Sequence, residues 1–208
     1  MTWTEIADEA ALTDLLGEPT AAARDKERST LTDVDRDWLA ASPICFLGTA
    51  DAEGRCDVSP KGDPAGSLVH VLDDRTIAIA ERPGNRRADG YRNILANPHV
   101  GLNLLIPGRG DTLRINGRAS LVSDAPFFDE MVVKGNRPLL AVVVEIETVF
   151  FHCAKAFLRS QLWQPETWDP DGQVPRRAVL AHRLERPDTS LEELDAYYGP
   201  SYAERLYG

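Results

Sequence analysis

Residues 76–101 read TIAIAERPGNRRADGYRNILANPHVG. The opening Thr76 to Ala80 alternates small and β-branched apolar residues, which predicts a short strand. Arg82-Pro83-Gly84-Asn85 then breaks the chain, and the periodicity predicts a helix over 86–96 that opens on Arg86-Arg87. The first turn of a helix leaves backbone N–H groups unpaired and carries a partial positive charge. Arginine is slightly unfavourable there, so two in succession point to an anion such as a phosphate. The alternative is a solvated helix face, with Arg82 and Arg92 pairing Glu81 or Asp89.

Outward from this stretch, strand signals dominate. Apolar or alternating runs predict strands at 44–49, 55–59, 68–72, 100–106, 112–115, 119–122 and 139–150, separated by Gly, Pro, Asn and Asp turns. Asn116-Gly117 reads as either a turn or a bulge. Helices are expected at 2–16, where Thr2 and Glu5 resemble a capping box, and at 31–40, 125–133 and 153–162. Beyond a Pro-, Asp- and Gly-rich linker at 164–175, two more are expected at 176–184 and from Ser190, which Glu193 would cap. The result is a mainly β (α+β) chain of six to seven antiparallel strands with flanking helices. A small barrel is the simplest way to remove the sheet edges of such a meander.

The chain has 208 residues and a formal net charge of -10, which argues against general binding to nucleic acid or anionic membrane. The charge is uneven. Residues 41–163 hold 14 acids and 14 bases, whereas 1–40 hold 10 acids and 4 bases and 164–208 hold 9 and 5. This divides the chain into a helical N-terminal extension (1–40), a neutral barrel domain (41–163) and an acidic helical tail (164–208). Cys45, Cys56 and Cys153 lack metal or disulfide spacing, and His152-Cys153 would point to opposite faces of a strand. No metal site is expected. The three thiols, with no secretion signal and no apolar run of membrane length, make the cytoplasm the expected compartment.

The order of these motifs carries a resemblance. A strand ending in Ser59-Pro60-Lys61 precedes strand–RPGNRR–helix–Asn97-Pro98, then a strand with Leu113-Arg114-Ile115-Asn116-Gly117. Over 41–163 this resembles the pyridoxamine 5'-phosphate oxidase-like, FMN-binding split-barrel superfamily. The ending His152-Cys153-Ala154-Lys155-Ala156, then Arg159-Ser160 and Leu162-Trp163, resembles a branch of PPOx-type flavoproteins without an assigned substrate.

The resemblance implies a homodimer with FMN at the subunit interface. It implies that Val58, Ser59, Pro60 and Lys61 line the isoalloxazine and ribityl chain, with Ala80 and Glu81 nearby. Asn85, Arg86 and Arg87 would hold the phosphate. Thr112 and the segment carrying Lys155, Ser160 and Trp163 would come from the partner subunit. The implied activity is an FMN-dependent oxidoreductase in which the flavin takes a hydride at N5 from a small-molecule or nicotinamide donor, with no obligatory acid–base side chain. The C-terminal arginine–histidine pair of true pyridoxamine 5'-phosphate oxidases is missing, and Arg183 to Arg186 only loosely echoes it, so that substrate is not expected. A non-catalytic flavin-binding, storage or sensor protein, or a split barrel using deazaflavin or haem, shares the same residues.

Overall fold

In a computed structural model, residues 1–169, 172 and 174–207 are described. Pro170, Asp171 and Gln173, inside the expected linker, and Gly208 lie outside them. Seven strands form one antiparallel sheet: β1 (Ile44–Ala50), β2 (Cys56–Gly62), β3 (Val69–Val71), β4 (Thr76–Ala80), β5 (His99–Leu105), β6 (Thr112–Val122) and β7 (Ala141–His152). The strand order is β2-β1-β5-β6-β7-β4-β3. The sheet curls into a split barrel.

The interior is filled by alternate residues of nearly every strand, among them Leu47, Ile77, Leu104, Ile115, Val144 and Ile146. Burying a side chain of this size contributes about 1.5–3 kcal/mol. A second, smaller cluster lies on the other face of β4, where Ala78 and Ala80 meet Phe128 and Met131 of the 3-10 turn Pro126–Met131. This explains why β4 is apolar and buried at every position after Thr76 instead of alternating: both of its faces are covered.

The expected strands at 112–115 and 119–122 are one strand. Opposite Asn116-Gly117 the β6–β7 register shifts by one residue, leaving Glu147 of β7 as the extra residue of a bulge. A side chain on Gly117 would put its Cβ 2.0 Å from the Glu145 carbonyl oxygen, so only glycine allows the two strands to approach this closely.

The helices are shorter than expected. α1 (Glu9–Leu16) starts on Asp8, whose carboxylate accepts from the Ala11 N–H, and not on Thr2; a one-turn α2 (Ala21–Arg24) follows. α3 (Asp33–Ala41) has a full capping box between Thr32 and Asp35 and sends Trp38 and Leu39 into the barrel core. Asp35 is fully buried and ion-paired with Arg28. Burial pushes its carboxyl upward, but bonds from Arg28 and from the Thr32 hydroxyl and N–H more than offset this and hold it below the usual carboxylate range.

α4 (Asp89–Ala96) is pinned to β1 by Asn93 Nδ2, which donates to Thr49 Oγ1 at 3.1 Å, and by buried Ile94. After β7 come α5 (Lys155–Ser160), which buries none of its residues, then α6 (Arg177–Leu184) and α7 (Leu191–Tyr197). The capping box expected at Ser190 and Glu193 is present. α6 and α7 share a small core of Ala178, Ala181 and Leu194. Among the described residues, no helix is long and apolar enough to cross a membrane.

Candidate functional site

A cleft of about 540 Å³ opens along the free edge of β2, within the range of small-molecule sites. One wall is edge strand β2. Its half-buried Asp57, Ser59 and Lys61 alternate with exposed Val58 and Pro60, so the first set faces the cleft. Pro60 has no N–H to pair, which suits a strand bonded on one side only. The opposite wall is the end of β4 and the loop 81–88.

This loop runs back along β2. At one end Arg82 reaches Asp63, its Nε donating to Oδ2 at 2.7 Å. At the other, Gly90 sits so close to β2 that a Cβ there would lie 3.4 Å from Asp57 Oδ2. Six residue steps of extended chain lead from Asp57 to Asp63, so the cleft is roughly 20 Å long at about 3.3 Å per step.

The arginine end differs from a helix start. α4 begins at Asp89, and Arg86 and Ala88 both adopt left-handed backbone, at φ 60° and 57°. Such a pair of non-glycine residues is uncommon and costs free energy that the surrounding structure must supply. Asn85 helps to fix the turn, its Oδ1 accepting from the Arg87 N–H at 3.0 Å. Asp89 at the first helical position suits the dipole better than arginine would.

Arg87 and Arg92 both pair with Asp89, and Arg92 also donates to the Arg87 carbonyl. Arg86 has no ion pair or side-chain hydrogen bond among the described residues, and it is exposed on the rim. Three guanidinium groups against Asp57 and Asp89 leave this end with one uncompensated positive charge.

The middle of the cleft holds Lys61. Its ammonium donates to the Tyr91 hydroxyl at 3.0 Å and lies 4.7 Å from the centre of that ring. Burial pulls the lysine pKa below its ordinary value, with Glu81, Cys45 and Asp57 partly opposing. Burial also raises the Glu81 carboxyl, against the pull of Lys61 and Arg82, and raises the Tyr91 phenol. Lys61 is therefore a desolvated cation beside a cavity, held by a neutral phenol.

The structure thus brings together Ser59, Pro60, Lys61, Ala80, Glu81, Asn85, Arg86 and Arg87 around one cavity. Val58 turns away and is 64% exposed on the outer face. Thr112 is buried within its own chain, paired with His152. Lys155, Ser160 and Trp163 lie after β7, with the Trp163 indole N–H donating to the Arg109 carbonyl at 2.6 Å. None of these five residues lines the cleft of its own chain.

Of the cleft residues that were not expected, Tyr91, Asp63 and Tyr207 carry the most chemistry. Tyr91 lies one helical turn before buried Ile94, so the inward face of α4 carried its signal. Asp63 and Tyr207 meet across 144 residues of sequence, and no local pattern announces such a contact. Among the described residues, no group of three or more His, Cys, Asp or Glu side chains is gathered as metal ligands.

An elongated ligand with an anionic end fits these walls: a free guanidinium at the rim, a buried ammonium midway, and an unpaired strand edge between. Comparison with known proteins identifies the lineage. The family model for pyridoxamine 5'-phosphate oxidase matches residues 31–153. The chain belongs to this family.

Solved structures similar to it include HupZ from Group A Streptococcus (18% identity, 58% of this chain and 93% of that one, TM-score 0.47). The heme storage protein HutZ from Vibrio cholerae gives 17% identity, 58% and 93% coverage and a TM-score of 0.42. A FAD-binding protein from Mesorhizobium loti gives 18%, 60%, 96% and 0.41. No curated protein matches the chain in sequence.

Proposed function

We propose that the protein binds FMN in this cleft and acts as an FMN-dependent oxidoreductase on a small-molecule hydride donor other than pyridoxamine 5'-phosphate. The observation that carries the reading is Arg86: an unpartnered guanidinium held in left-handed backbone on the rim of a cavity that also holds a desolvated lysine. When bound, the flavin supplies a two-electron acceptor at N5. Arg86, assisted by Arg87, neutralises the phosphate. The free edge of β2 offers backbone groups to the ring and ribityl chain, and Ser59 adds a hydroxyl. Lys61 places positive charge where a reduced, anionic ring would carry negative charge, and Tyr91 holds the ammonium in position.

The reading includes a homodimer. Val58 and Phe46 expose apolar surface on the outer face of β2 and β1, and Leu158 and Leu162 do so around α5. Lys155 and Arg159 are unpaired among the described residues. A second copy would cover the apolar groups and bring its Lys155, Ser160 and Trp163 to the open side of the cleft.

The absorption spectrum of the protein as isolated tests the cofactor. Flavin bands, or their appearance on adding FMN, support the reading; deazaflavin or haem bands replace it. Anaerobic mixing with NADH, NADPH and candidate amines tests turnover, and bound FMN that none of them reduces favours a storage or sensing role. Sedimentation at monomer mass with FMN bound refutes the dimer.

A further inference from the structure

Tyr207 lines the Asp63 end of the cleft. Its hydroxyl donates to Asp63 Oδ1 at 2.8 Å, while Arg82 holds Oδ2. The Asp63 side chain is only 2% exposed, so each of its oxygens needs a donor. Two cations attend the ring: the Lys134 ammonium at 5.4 Å and the Arg82 guanidinium at 5.9 Å from its centre. These distances suit cation–π attraction. Arg82 also donates one Nη to the Met131 carbonyl at 2.9 Å, and its other Nη is buried with no acceptor among the described residues.

We propose that the Asp63–Arg82 end of the cleft, with Lys134 beside it, is a subsite for a planar ring bearing a hydrogen-bond donor, and that Tyr207 is its resident occupant. Asp63 Oδ1 accepts the donor, the two cations attend the π system, and the unmatched Arg82 Nη meets an acceptor placed beside the donor. A hydroxylated aromatic or heteroaromatic compound has this chemistry. Its ring then lies beside the position that the preceding reading gives to the flavin. The inference rests on that reading for this neighbour only, not for the subsite. Tyr207, carried on the segment after α7, is a tethered competitor, present at an effective concentration of millimolar order. Ligand entry requires it to leave.

The test uses the full chain and Tyr207→Ala and Tyr207→Phe variants, with 4-methylphenol and 4-methylanisole as probes in ligand-observed NMR titrations. Tyr207→Ala should bind 4-methylphenol at least about fivefold more tightly than wild type, because the tethered competitor is gone. 4-Methylanisole, which cannot donate to Asp63, should show no comparable gain. Tyr207→Phe keeps the ring but leaves Asp63 Oδ1 unmatched, so its gain for 4-methylphenol should fall between the two. Equal 4-methylphenol affinity in all three proteins, or an equal gain for both probes, overturns the proposal. FMN titrated in parallel separates the two readings. A wild type that fails to bind FMN while Tyr207→Ala gains the phenol refutes the cofactor and upholds the subsite; FMN binding without the phenol gain does the reverse.

Discussion

Arg86 and Arg87 are adjacent in sequence but differ in what they have to offer a phosphate. Arg86 has no internal partner to give up. A hydrogen bond to a charged group contributes about 1.5–3 kcal/mol, so Arg86→Ala should raise the FMN dissociation constant by roughly ten- to 150-fold. Arg87 is already paired with Asp89, with side chains 79% and 36% exposed. An exposed pair of this kind is worth about 0.2–1 kcal/mol, and that contribution is lost or shared when Arg87 turns to the ligand. Arg87→Ala should therefore cost less than Arg86→Ala.

Asp89→Asn removes the competing carboxylate and should tighten binding a few-fold. Quenching of flavin fluorescence measures all four proteins, and riboflavin, which lacks the phosphate, is the control: its affinity should be indifferent to Arg86. Arg86→Ala with an FMN constant within twofold of wild type refutes the phosphate site. Equal losses for FMN and riboflavin also refute it, since they would place Arg86 at the ring or the chain. A larger loss in Arg87→Ala reverses the assignment of the two arginines.

Asp35→Asn should cost about 2–4 kcal/mol by urea unfolding, because it strips a buried carboxylate from Arg28 and from the α3 cap. The folded pKa of Asp35 is depressed, so its stabilisation is in place above the unfolded value of about 4 and fades as pH falls through the folded one; the gap between wild type and variant should close in acid. Gly117→Ala should destabilise by about 3 kcal/mol or prevent folding, since its Cβ meets the Glu145 backbone. Gly108→Ala, at φ 84° with open space around it, should cost only about 1 kcal/mol in the same melts. Lys61→Met should raise the melting temperature near neutral pH while weakening FMN binding. Its folded pKa is also depressed, so the native state bears the cost of the buried charge below that value and is relieved as pH rises toward the unfolded pKa of about 10.4; the gain from methionine should shrink over that range. A variant that is both less stable and unimpaired in FMN binding contradicts the role given to Lys61.

The strands were legible because each has a local cause: alternation or an apolar run, ended by a turn. β4 announced itself in five residues. What escaped depends on partners distant in sequence. Nothing in ERPGNRRAD indicates that Arg86 and Ala88 take left-handed backbone, because neither is glycine; the helix start moved three residues to Asp89 as a result. Asn116-Gly117 was ambiguous until the Glu145 carbonyl was seen to occupy the space of a Cβ. Arg82 had Glu81 and Asp89 as nearby candidates, yet the curled sheet delivers Asp63. The anion end of the site was readable because its residues are contiguous. Tyr91 was half-readable, through the periodicity of α4. Tyr207 was not readable at all, since only the folded chain brings it to Asp63.

The cleft lies along the open edge of β2, and the chemistry of its walls follows from that. β2 and β3 are the two sheet edges, and an open edge must be capped, charged or covered. Pro60 removes one donor from β2, and β3 is only three residues long. In place of ladder hydrogen bonds, side-chain contacts tie the β2 edge to the loop after β4 and to α4: Asp63 with Arg82, and Lys61 with Tyr91. Each sets charge or dipole in a half-dry environment, where a ligand's charge is felt more strongly than in water. Such contacts are poor stabilisers, because desolvation consumes much of what the attraction returns. A closed barrel with apolar residues at 61 and 63 would hold together better and bind nothing polar. The predicted opposition in Lys61→Met, a gain in melting temperature against a loss of flavin, therefore tests more than one lysine: it asks whether the incomplete barrel persists because its gap is the binding site.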